Sequence, residues 1–145
     1  MRVIIYNIHK GIGGVDRRYQ LSRIIDVINY YQPDVALLQE VMRHSKSSSD
    51  ALQVEILGEA IGLQHRVWVP NVRVDQSTGY GNAIFSRWPI TESSNIDLTV
   101  GPKKRRSALY AKIRTQVSLS ASGLPHTRTV HFFNLHLGQI GRAHV

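Results

Sequence analysis

Pro33-Asp34-Val35-Ala36-Leu37-Leu38-Gln39-Glu40-Val41 is the stretch on which the reading of this chain turns. Val35 to Gln39 is a short apolar run after a proline and reads as a buried strand covered on both faces. Pro33 pushes Gln32 out of helical geometry, so any helix before it must stop there. One is expected: between Tyr19 and Tyr31 the residues Leu21, Ile24, Ile25 and Ile28 recur at i, i+3, i+4 and i+7. Before that helix, Val3 to Tyr6 reads as another buried strand, and Lys10 to Asp16, with its three glycines, as a loop.

Downstream, Asp50 can cap a second helix carrying Leu52, Ile56, Leu57 and Ala60, with Gly62 placed to end it. The pattern then changes to short β-rich stretches at 66–69, 83–85, 95–98, 108–113, 115–119 and 129–137, punctuated by Gly, Pro, Asn and Ser. Strand, helix, strand, helix and then strands define an α/β (α+β) class with a mixed sheet.

With 145 residues the chain has room for one ordinary domain. Apolar residues at 42% and charged ones at 19% allow a packed core. The absence of cysteine excludes disulfide scaffolds, thiolate zinc sites and cysteine nucleophiles. No apolar run approaches a membrane span, and the N-terminal apolar run is too short for a signal peptide, so a cytoplasmic protein is expected. The net charge of +8 is uneven. Residues 1–97 carry ten basic and ten acidic side chains, whereas 98–145 carry eight basic and none acidic. Lys103-Lys104-Arg105-Arg106 is the centre of that excess; it is either a solvated loop or a contact for an anionic partner.

Polar residues stand at the ends of three apolar runs. Glu40 closes the Val35–Gln39 run, where a carboxylate either reaches solvent or is paired, hydrogen-bonded or bound to a metal. Asn7 and His9 follow the first strand, as turn residues or as groups that orient a water or phosphate oxygen. Val130, Phe132, Asn134 and His136 share one strand face, apolar first and polar at its end. His136 is then a core histidine or lines a cleft.

Taken together, these residues resemble the endonuclease/exonuclease/phosphatase superfamily of metal-dependent phosphoesterases. The resemblance rests on Tyr6-Asn7-Ile8-His9-Lys10-Gly11, the proline-to-glutamate block, Gly79-Tyr80-Gly81-Asn82-Ala83-Ile84-Phe85-Ser86 and Asn134-Leu135-His136-Leu137. It covers residues 1 to about 138. It implies that Glu40 binds a catalytic Mg2+ (or Mn2+), that Asn7 organises metal and phosphate, and that His136 contacts the phosphate. Arg106 falls where the family often places an arginine near its substrate. The substrate implied is a phosphoester, nucleic acid first, then phospholipid or inositol phosphate. The fold implied is half of a two-sheet sandwich with outer helices, one sheet being expected here.

One departure matters. The family's water-activating Asp-x-Asn block and late Asp-His pair have no counterpart, because no Asp or Glu follows Asp97. Ile140-Gly141-Arg142-Ala143-His144-Val145 resembles a translated sequencing adapter. The expected organisation is therefore an incomplete domain over 1–139 and an artefactual tail over 140–145, with little or no turnover by the fragment. The competing expectation is a non-catalytic nucleic-acid-binding module that uses residues 103–106.

Overall fold

A computed structural model describes residues 1–44, 53–73, 78–101, 106–118 and 125–136. The expected tail at 140–145, the boundary at 139, Asp50, Leu52 and the basic residues Lys103, Lys104 and Arg105 lie outside them. The apolar run at its centre belongs to strand β2, Val35–His44, which pairs parallel with β1, Val3–Asn7. Between them runs helix α1, Leu21–Tyr31. Gln32 adopts the left-handed conformation that ends it, at φ 43°, donating its N–H to the Ile28 carbonyl at 3.0 Å. Helix α2, Gln53–Ala60, is followed by Gly62 at φ 68°, as the expected stop requires.

Strands β3, His65–Arg73, and β4, Thr78–Ser86, complete a four-stranded mixed sheet of order β1-β2-β4-β3. Three further strands, β5 (Ile90–Asp97), β6 (Ser107–Ser118) and β7 (Pro125–Leu135), form a separate antiparallel sheet in that order. The α/β class with a mixed sheet is therefore as read; the expectation of a single sheet is not. Alternation along β2 explains why two layers are needed. Ala36 and Leu38 face the helices in a cluster with Ile8, Ile28, Leu57 and Phe85. Val35 and Leu37 face the other way and pack with Ile84 against Leu109, Ala111 and Ile113 of β6. The chain itself covers both faces of its first sheet.

The β-rich stretches extend beyond the bounds that the periodicity gave, and two of the differences bear on the site. The stretches at 108–113 and 115–119 are one strand through residue 118, because Arg114 and Thr115 keep pairing with Thr129 and Arg128; Leu119 lies outside the described residues, as does Leu137. Strand β2 does not end at Glu40. Its pairing with β4 shifts register between Leu38 and Val41 and then resumes, so Glu40 sits on a bulge, not at a terminus. Opposite that bulge, Gly81 passes so close to β3 that a Cβ would lie 1.8 Å from the Val69 carbonyl oxygen. Among the described residues no helix is long and apolar enough to cross a membrane.

Candidate active site

The bulge at Glu40 is what builds the site. Glu40 has φ 55°, in the left-handed region that a non-glycine residue occupies at a cost. With its side chain only 13% exposed, it stands in the space between β1 and the end of β7. Asn7, the last residue of β1, lies at the register of Gln39. Its side-chain carbonyl accepts the His9 N–H at 2.9 Å, a local turn that aims the amide nitrogen away. That nitrogen donates to Glu40 Oε1 at 3.2 Å and lies 3.5 Å from His136 Nε2. His136 Nδ1 is 3.8 Å from the same carboxylate oxygen. Three segments far apart in sequence thus meet in one cleft.

His9 contributes differently. Its backbone fixes Asn7, but its ring turns away, Nδ1 lying 3.1 Å from the Ile12 carbonyl. Arg106 immediately precedes β6, its N–H donating to Thr99 Oγ1 at 3.2 Å. Since Ala108 pairs with Leu135, Arg106 lies at the same sheet end as His136. The bonds joining Asn7, Glu40 and His136 are made without it.

Five further residues, not proposed for the site from the sequence, take part. Lys10 Nζ meets Glu40 Oε2 at 2.7 Å and sits 4.6 Å from the centre of the Tyr80 ring. Beneath the cleft, Asn134 donates from one amide nitrogen to the Leu38 and Ala83 carbonyls, both at 2.9 Å. Those carbonyls belong to the last pair before the register shift of β2. Asn134 Oδ1 accepts from Gln39 Nε2 at 2.6 Å, and Asn82 Nδ2 donates to the Asn134 carbonyl at 3.0 Å. All three amides are buried. This amide cluster stitches β7 to β2 and β4, and so sets the distance between His136 and Glu40. The sequence signal for it is an asparagine on an otherwise apolar strand face, at Asn134.

Burial of the Glu40 carboxyl pushes its pKa up, but hydrogen bonds from Lys10 and Asn7 and the charges of Lys10 and His136 outweigh it. The net result lies below the ordinary value of 4.5, so Glu40 is an anion at neutral pH. A single held carboxylate is a donor set that suits a hard divalent ion, which takes few protein oxygens and keeps waters or phosphate oxygens as its other ligands. Among the described residues no group of three His, Asp or Glu converges to enclose a metal on its own. Glu40 is the described residue whose carboxylate could hold such an ion.

The model of the Endonuclease/Exonuclease/phosphatase family matches residues 4–131. Uncharacterized protein YbhP of Escherichia coli K12 is 28% identical over 144 residues, covering 94% of this chain and 53% of its own. Its counterpart in Shigella flexneri matches to the same extent. The chain therefore spans about half the length of the curated relatives it matches. Among solved structures, an endonuclease/exonuclease/phosphatase from Beutenbergia cavernae superposes with a TM-score of 0.73 at 24% identity, over 97% of this chain and 39% of that one. ANGEL2, a 2',3'-cyclic phosphatase, superposes with a TM-score of 0.59 at 13% identity, over 93% of this chain and 40% of its own. At these identities the two structures share the fold.

Proposed function

The chain belongs to the endonuclease/exonuclease/phosphatase family, and from that membership we propose that it forms part of a magnesium-dependent hydrolase of phosphoester bonds. The observation that carries the reading is the convergence of Asn7, Glu40 and His136, with Asn7 Nδ2 3.2 Å from Glu40 Oε1 and 3.5 Å from His136 Nε2. When bound, magnesium (or manganese in its place) polarises the phosphoryl group and offsets the charge that develops on it. Glu40 is the residue that would hold the ion. Asn7 keeps that carboxylate in place and offers an amide donor beside it. His136 faces the same space and is placed to donate to a phosphate oxygen. Arg106, at the same end of its sheet, is the proposed second phosphate contact.

In the family pattern that these residues resemble, the base that takes a proton from the attacking water stands in an Asp-x-Asn block, which has no counterpart here because no acidic residue follows Asp97. The chain alone is then expected to turn over little or no substrate. ANGEL2, a phosphatase that shares the fold, supports a phosphoester as the substrate class; nucleic acid is tested first, phospholipid and inositol phosphate next. The test is made in the longest natural protein that carries this segment. Glu40→Gln keeps the shape and removes the charge, so turnover of a phosphodiester should fall steeply at limiting magnesium and recover partly with excess. His136→Ala should lower the rate more than it weakens Mn2+ binding. Unchanged turnover in Glu40→Gln at limiting magnesium would refute the assignment.

A further inference from the structure

The same cleft already contains a cation. Glu40 Oε2 is occupied by the Lys10 ammonium at 2.7 Å, which is an ion pair with both side chains largely shielded from water. The position of Lys10 is not that of a lysine drifting on the surface. It sits in a turn in which two successive non-glycine residues, His9 at φ 45° and Lys10 at φ 61°, are left-handed. Such a turn persists only where its surroundings hold it. Here the Lys10 carbonyl accepts from Gln53 Nε2 at 2.8 Å, and Gln53 Oε1 accepts the Met42 N–H at 2.8 Å, so α2 clamps the turn to β2. The ammonium also stands over the Tyr80 ring, 4.6 Å from its centre, a distance at which an aromatic face attracts a cation. A strained backbone, an amide clamp and an aromatic wall all serve to aim one ammonium at one carboxylate oxygen.

We propose that Lys10 is a resident counter-ion that a divalent metal must displace from Glu40, and that this exchange sets the metal affinity of the site. The inference rests on the reading of Glu40 as the metal ligand. A metal ion and an ammonium on the same carboxylate disfavour each other, because two cations within a few ångströms repel in a shielded cleft. Once displaced, the ammonium is repelled by the ion and drawn to the phosphate that accompanies it. Metal and substrate would therefore bind cooperatively, with Lys10 keeping the carboxylate paired until they do.

The test is Mn2+ titration of the full chain without substrate, following the resonance of free Mn2+. Lys10→Met keeps the apolar stem and should tighten binding about tenfold, the value of one charge-assisted hydrogen bond. Tyr80→Leu leaves Lys10 and the net charge unchanged. By removing the ring beneath the ammonium it should tighten binding roughly two- to fivefold. Lys10→Arg keeps a cation on Glu40 and should stay near the wild-type affinity. Tyr80→Leu leaves the exchange readable even where Lys10→Met fails to fold. Affinity unchanged or weaker in Lys10→Met and in Tyr80→Leu, with wild type binding Mn2+ through Glu40, overturns the exchange and leaves the metal reading standing. No Mn2+ binding by any of the four proteins overturns both.

Discussion

Glu40 illustrates how one side chain can be recognised in a sequence while its surroundings are not. A carboxylate after five mostly apolar residues is conspicuous, and so is His136 on the polar end of an apolar strand face. Lys10 is not, because its importance lies in a left-handed turn that no hydrophobic pattern announces. The charge state of Glu40 makes this environment measurable. Its carboxyl titrates below 4.5 in the folded chain, so ionised Glu40 favours folding at neutral pH. For a depressed carboxyl that contribution is present above the unfolded value and is lost as pH falls through the folded one. In chelator, Glu40→Gln should therefore melt at lower temperature than wild type at neutral pH, and the two should converge once pH has fallen through the lowered folded value of Glu40. Equal melting temperatures at both pH values would show that Lys10 and Asn7 do not stabilise the anion.

Among the elements, helix α1 and the central part of β2 were readable because period and punctuation agree. The end of β2 was not. Gln39 and Glu40 interrupt the apolar run as a strand end would, yet the ladder resumes at Val41 opposite Gly81. What distinguishes a bulge from an end is the partner strand, which local sequence does not contain. For β5 the reason is different: Thr91 to Asp97 is exposed throughout, so burial imposes no alternation to read. The strand ends at the bulge depend on Asn134, whose side chain bonds Leu38, Ala83 and Gln39 at once. Asn134→Leu keeps the volume but takes the side-chain donor from the Leu38 and Ala83 carbonyls and leaves Gln39 Nε2 only its longer bond to the Leu37 carbonyl at 3.4 Å, at about 1–3 kcal/mol for each buried group left unpaired. We expect a loss of roughly 3 kcal/mol in denaturant unfolding, together with weakened Mn2+ binding as the Glu40 bulge relaxes. A loss below about 0.5 kcal/mol, the range of an ordinary surface substitution, would mean that water replaces the asparagine.

In the molecule as a whole, the second sheet changes what the isolated chain should do. A lone sheet with one bare face would expose more apolar surface than monomers usually tolerate. Instead Leu109, Ala111 and Ile113 cover that face, and two buried clusters share β2 and β4 between them. Elements that share strands in this way unfold together, so a single cooperative melt is expected. The count of one sheet failed because covering layers are a long-range property: the residues that cover Leu37 lie more than seventy positions downstream. Among the described residues each sheet has two edge strands, and at one end β1 pairs only with β2 and β7 only with β6. Ile5 on β1 is 71% exposed and Phe133 on β7 is 52% exposed, beside free strand edges. Unpaired edges bearing apolar side chains favour pairing with another chain. The 145-residue chain should therefore melt cooperatively and yet self-associate as concentration rises. In sedimentation velocity its mean mass should grow with concentration, and Ile5→Lys, a charge placed on the β1 edge, should reduce that growth without lowering the melting temperature by more than a few degrees. A wild-type mass that stays monomeric up to roughly millimolar concentration, which would leave any edge-pairing constant weaker than about 1 mM, would refute pairing through these edges.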